Sequence, residues 1–146
     1  MKKNIFGNSA AGFTLIEVMI VIVILGVLGA MIVPNVLGRS DQARIAAAKS
    51  DLNSLAGALE IYHLDNHTFP STEQGLNALI DKPSGSPEAK SWNPGGYIKK
   101  LQNDPWGNAY VYISPGKESD FDLYSLGKDG KSGGESFNAD IFYNDL

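Results

Sequence analysis

The chain has 146 residues, with 12 Lys and Arg, 16 Asp and Glu, a formal net charge of −4 and no cysteine. An acidic balance without a basic stripe argues against nucleic acid as a partner, and a chain without cysteine cannot staple its loops with disulfides. Once an apolar N-terminal segment is set aside, about 110 residues remain, enough for a single core.

Residues 1–12, from Met1-Lys2-Lys3 to Gly12, form a short polar leader with two lysines and no acid, which leaves 10 basic against 16 acidic side chains for the rest, a net −6. This leader resembles the charged front of an export signal without the usual design behind it. No A-x-A cleavage site follows the apolar run, so the expected cut lies before the run, after Gly12, and leaves the hydrophobic segment on the mature protein.

From Phe13 to Val33 the one charged side chain is Glu17. As a helix, those roughly 21 residues reach across a hydrocarbon layer about 30 Å thick. A carboxylate there costs about 2.5–3.5 kcal/mol on insertion scales and points to a function with a partner. The bland alternative is a helix-end Glu that snorkels to the headgroups. Gly26, Gly29 and Pro34 weaken this stretch, the proline by about 3 kcal/mol relative to Ala. Either the helix kinks or partly melts there when subunits pack, or it tolerates them as membrane helices do.

Gly12-Phe13-Thr14-Leu15-Ile16-Glu17 resembles the processing signature of type IV pilins and their relatives. The resemblance implies cleavage after Gly12 by a prepilin peptidase, N-methylation of Phe13 by the same enzyme, and helix-driven assembly of subunits into a filament. The new ammonium at Phe13 and the Glu17 carboxylate are opposite charges suited to pairing between neighbouring subunits. Losing one member of a buried pair would cost about 3–5 kcal/mol.

Ile45, Leu52, Leu55, Leu59 and Tyr62 recur at helical spacing and predict a continuing helix with one apolar stripe. Arg44, Lys49, Asp51, Asn53 and Glu60 form the opposite, solvent- or subunit-facing side. An unbroken helix from Phe13 to Leu64 would be about 78 Å long. The period fails at Asp65-Asn66-His67-Thr68-Phe69-Pro70, and Ser71 or Thr72 caps a shorter helix reaching Ile80. Residues 82–96, rich in Pro, Gly and Ser, predict an irregular loop, and Tyr97–Leu101 a short extended piece. Asn108–Ile113 and Phe121–Leu126 alternate as strands, joined at Ser114-Pro115-Gly116-Lys117 into an antiparallel hairpin.

Asp104-Pro105-Trp106-Gly107-Asn108 reads as a turn, with Trp106 expected to pack over the sheet. His63 and His67 have no acid or Cys at ligand spacing and read as surface residues. No catalytic set is apparent.

Leu126 to Asp140 is a glycine-rich loop with several oxygen donors. Counting Asp129 as the first position of an EF-hand loop puts Gly134 sixth and Asp140 twelfth, but Lys131 third and Gly133 fifth rule that motif out. On chemistry alone, calcium and a solvated acidic turn both remain open.

The words Leu64-Asp65-Asn66-His67-Thr68-Phe69-Pro70-Ser71-Thr72-Glu73-Gln74-Gly75-Leu76, Asn103-Asp104-Pro105-Trp106-Gly107-Asn108 and Tyr124-Ser125-Leu126-Gly127-Lys128-Asp129-Gly130 resemble the major pseudopilins of type II secretion systems, in the family's order along the whole chain. The resemblance implies a pilin-like α+β fold. Its long N-terminal helical spine, a transmembrane half followed by an amphipathic half, packs on a small antiparallel sheet with a C-terminal calcium-binding loop. It implies three segments: leader 1–12, transmembrane and polymerisation helix 13–37, and periplasmic globular domain 38–146. It also implies a structural Ca²⁺ near Leu126, Asp129, Ser136, Asn138 and Asp140, where Ser136 and Asn138 replace acids common in the family.

The expected role is that of a non-enzymatic, single-pass inner-membrane subunit. Its periplasmic homopolymer, a piston or rotating screw, would push folded proteins through an outer-membrane channel. Membrane lipid, minor pseudopilins, the inner-membrane assembly platform and the prepilin peptidase/N-methyltransferase are the implied partners. The alternatives are a type IV pilin forming a surface fibre for adhesion or motility, against which stands the missing C-terminal cysteine pair, and a membrane-tethered calcium-binding or enzymatic domain.

Overall fold

The computed structural model describes residues 12–146, with the side chains of 31–37 left aside. Of the expected leader, 1–12, residues 1–11 lie outside the described residues. The chain divides into two compact units, Met1–Arg39 and Ser40–Leu146.

Helix α1 spans Leu15–Asn66, the 52 residues expected, shifted by two positions. Its backbone stays helical through Gly26, Gly29 and Pro34. In the first unit its apolar side chains from Phe13 to Leu28 are each at least 46% exposed. Among the described residues no helix is long and apolar enough to cross a membrane.

In the second unit the apolar stripe of α1 becomes the core. Leu52, Leu59 and Tyr62 are fully buried and Leu55 nearly so, packed with Leu76, Leu79, Ala89, Tyr110, Tyr112, Phe121 and Leu123. Ile45, first in the stripe, is half-buried. Asp51 departs from the expected solvent face, because its Oδ2 accepts the Tyr110 hydroxyl at 2.9 Å.

His67 ends α1 in the left-handed conformation (φ 61), its N–H bonding the His63 carbonyl at 2.7 Å. His63 is half-buried and stacks on Phe69 at 4.4 Å, so it is a packing residue as well as a helix terminus. The expected second helix is reduced to a turn and a 3₁₀ stretch, Leu76–Leu79. Ser71 and Gln74 do form a reciprocal cap, at 3.0 and 3.2 Å, but Gly75 at φ 60 breaks the helical path immediately after it. Tyr97–Leu101 is not a strand; the Tyr97 and Ile98 N–H groups bond the Leu79 carbonyl instead.

The sheet has three antiparallel strands in the order β1 (Val111–Ile113), β2 (Asp122–Ser125) and β3 (Ile141–Phe142). The hairpin pairs Tyr112 with Leu123 on the core side, and Tyr124 pairs with Val111 on one neighbour and Phe142 on the other. Strand β3 has no signature in the sequence, because two residues carry no period. Trp106 is half-buried but lies outside the core; Trp92 packs there instead, donating Nε1–H to the Ala78 carbonyl at 2.9 Å.

Candidate functional site

Two groups of residues carry the functional expectations, one in each unit. In the first, Thr14 is the N-cap of α1. The Glu17 N–H donates to Thr14 Oγ1 at 3.3 Å, while Glu17 Oε2 accepts the Thr14 N–H at 2.9 Å and its hydroxyl at 3.0 Å. This is a capping box, which satisfies backbone donors at the helix start and sets a carboxylate against the positive end of the helix dipole. In the sequence Glu17 stands out as the lone charge of an apolar run, whereas Thr14 does not. The T-x-x-E spacing was the available signal. Gly12 and Phe13 directly precede the cap, outside the helix and exposed.

In the second unit, the loop after β2 folds back on itself. Gly127, at φ +67, passes so close to the other arm that a Cβ there would lie 2.6 Å from the Ala139 carbonyl and 3.2 Å from that of Asn138. The Lys128 N–H donates to the Phe137 carbonyl at 3.2 Å, and the Lys128 ammonium pairs with Asp41 on α1 at 2.8 Å. The Asp129 carboxylate folds onto its own turn, accepting the Lys131 N–H at 3.1 Å. Leu126 is half-buried, whereas Ser136 (φ 58) and Asn138 are exposed in a 3₁₀ turn.

Asp140 is the most informative of the five expected ligands. Its Oδ2 accepts the Gly133 N–H at 2.9 Å and the Ser132 hydroxyl at 3.5 Å, yet its Oδ1 is buried with no hydrogen-bond partner. A buried, unsatisfied carboxylate oxygen calls for a donor or a cation. Among the described residues no three His, Asp or Glu side chains converge as a metal cluster. A cation here would therefore combine few carboxylates with hydroxyl, amide and carbonyl oxygens, an all-oxygen set that suits Ca²⁺.

With no disulfide, a hydrogen-bond hub holds the domain's loops. Asn66, 7% exposed, donates Nδ2–H to the Tyr62 carbonyl at 3.0 Å and to the Tyr97 hydroxyl oxygen at 3.0 Å, and accepts the Ser91 N–H at 3.0 Å. The Tyr97 hydroxyl donates to Asp65 at 3.0 Å. Thr72 and Ser114 exchange two bonds at 2.9 and 3.0 Å, and the Tyr112 hydroxyl donates to the Pro70 carbonyl at 2.8 Å.

Residues 35–144 match the family described as type II secretion system (T2SS), protein G, and residues 7–33 match the prokaryotic N-terminal methylation motif. The chain belongs to the type II secretion system protein G family. The type II secretion system core protein G of Pseudomonas aeruginosa is 57% identical over 131 residues, covering 90% of this chain and 92% of that relative. The corresponding Vibrio cholerae protein is 51% identical over 141 residues, covering 97% and 94%. The crystal structure of the major pseudopilin from the type 2 secretion system of enterohaemorrhagic Escherichia coli superposes with a TM-score of 0.69 at 42% identity, over 77% of this chain and 96% of that one. In this family member the helix-plus-sheet architecture is therefore that of a pseudopilin, and the methylation motif falls on the residues where the capping box forms.

Proposed function

We propose that this family member is the major pseudopilin of its secretion system. It is stored in the inner membrane by the Phe13–Val33 segment with its globular domain in the periplasm, and it polymerises into the filament that drives folded proteins across the outer membrane. Its role is structural and not catalytic. The observation that carries this reading is Glu17, a carboxylate set in an apolar helix and already oriented by Thr14. Cleavage between Gly12 and Phe13 by the prepilin peptidase would create an ammonium four positions away in sequence. With Glu17 already occupied by the Thr14 cap of its own chain, that ammonium would pair with the Glu17 of a neighbouring subunit. Charge neutralisation between subunits would then favour the packed filament over the lipid-dispersed monomer. Minor pseudopilins and the inner-membrane assembly platform would meet the growing end.

Within the domain, Ca²⁺ held by Asp140, Asp129 and the Leu126 carbonyl, with Ser136 and Asn138 alongside, would supply the positive charge that Asp140 Oδ1 lacks and join the two arms of the loop. Supporting this are the buried unpaired oxygen and the close approach of the arms at Gly127.

The test is the N-terminus of the protein purified from membranes. Mass spectrometry should find a chain beginning at methylated Phe13 in wild-type cells, and an unprocessed chain in cells without the prepilin peptidase. A mature chain that still carries residues 1–12 would overturn the reading.

A further inference from the structure

Asp104 is 4% exposed and takes no part in the reading above. Its Oδ1 accepts the backbone N–H groups of Trp106 at 3.0 Å and Asn108 at 2.8 Å, and its Oδ2 accepts the Ser125 hydroxyl at 2.6 Å. The turn closes on itself as well, through the Gly107 N–H to the Asp104 carbonyl at 2.9 Å and the Asp104 N–H to the Asn108 carbonyl at 2.8 Å. A buried carboxylate so supplied with donors is rigid and needs no cation of its own.

The constraint does not stop at the turn. Ser125 is fully buried, and its Oγ accepts the Gly127 N–H at 3.1 Å. Asn108 takes the other side of the same residue, donating Nδ2–H to the Gly127 carbonyl at 3.2 Å. Its amide also abuts Gly130, where a Cβ would lie 2.9 Å from Asn108 Oδ1. Gly127 is one point at which the two arms of the 126–140 loop touch, against Asn138 and Ala139. The Asp104 turn, about 20 residues away in sequence, thus grips the crossing of the arms that carry Leu126 and Asp129 on one side and Asn138 and Asp140 on the other.

We propose that Asp104, acting through Ser125 and Asn108, is the positioning residue of the cation loop, holding its two oxygen-bearing arms together before a divalent cation arrives. The proposal rests on the calcium reading above. Its physical content is preorganisation: a loop ordered in advance gives up less conformational freedom when the ion binds, and the difference appears as affinity. Partners beyond the ligands themselves commonly carry 10- to 100-fold of metal affinity.

The experiment uses the full chain in detergent micelles, stripped by chelator and titrated with CaCl₂, with thermal melts in excess calcium and in EDTA. Wild type is compared with Ser125→Ala and with Asn108→Ala, the gentler change should the first fail to fold. The expected result is calcium affinity reduced about tenfold in each variant, with a larger loss of melting temperature in calcium than in EDTA. Wild-type affinity, with equal losses in both conditions, would overturn the proposal and leave the calcium reading standing. A wild-type chain that binds no calcium would remove that reading and this proposal with it.

Discussion

Glu17 Oε2 accepts two hydrogen bonds from Thr14, at 2.9 Å from the backbone N–H and 3.0 Å from the hydroxyl. The carboxylate proposed to pair between subunits is thus first a capping group within its own chain. Both bonds fall on one oxygen, which aims the group and still leaves it able to accept a neighbour's ammonium.

Glu17→Ala should therefore leave membrane insertion intact, since it removes a charge from an apolar segment, and should reduce filament assembly to background. The uncompensated ammonium of Phe13 would cost about 3–5 kcal/mol at each buried contact. Thr14→Val should give a milder loss, near the ~1 kcal/mol of a helix cap. Membrane fractionation with a count of sheared or cross-linked filaments checks both; normal filament yield from Glu17→Ala would contradict the pairing.

Calcium removal should lower the melting temperature of the domain, and added calcium should restore it. At 100-fold excess over its dissociation constant a ligand stabilises by about 2.7 kcal/mol, on the order of 10 °C for a domain of this size. Asp140→Ala should erase most of that response, because it removes the carboxylate whose Oδ1 lies buried without a partner. Melts followed by circular dichroism in EDTA and in calcium decide the matter; a melt indifferent to both would remove calcium from the account.

The Tyr110 hydroxyl donates to Asp51 at 2.9 Å and fastens the approach to β1 onto α1. Tyr110→Phe keeps the ring in the core and deletes only this bond. The expected cost is about 1–2 kcal/mol, since Asp51 can turn to water once released. Denaturant unfolding should show a lower midpoint with an unchanged slope. No change in midpoint would mean the bond contributes nothing net.

Burial raises the pKa of Tyr62, Tyr97, Tyr110 and Tyr112, that of Tyr112 to about 12 from an ordinary 10. Each of these groups is neutral when protonated. In the unfolded chain they ionise near pH 10, so their contribution to stability is complete below that pH and is lost as pH rises toward 12. Ultraviolet titration should show buried tyrosines ionising together with loss of helical circular dichroism. Ionisation of all six tyrosines near pH 10 with the fold unchanged would refute this.

Long-range order was legible where a period extended over many turns. The stripe from Leu52 to Tyr62 announced both α1 and the core, and the alternation around Tyr112 and Leu123 announced the hairpin. Short or irregular pieces were not legible. Strand β3 is two residues long, and its pairing depends on β2 already being in place. The second helix looked sound from its Ser71 cap until Gly75 turned the backbone to positive φ. Asp104 read as a turn former, and so it is. That the same carboxylate reaches Ser125 and, through it, Gly127 is a tertiary fact with no local signature. At the functional positions the sequence spoke plainly for Glu17, because a charge in an apolar run stands out. It spoke weakly for the proposed loop ligands, since carbonyl and hydroxyl oxygens are available in almost any glycine-rich turn.

A strain lacking this chain shows whether it builds the filament of a type II secretion system. Proteins in the culture medium would be compared between this strain and its complemented parent while surface fibres are counted. Exported enzymes should accumulate in the periplasm of the deletion strain while surface fibres persist. Normal secretion with loss of surface fibres would contradict this and make the chain a pilin.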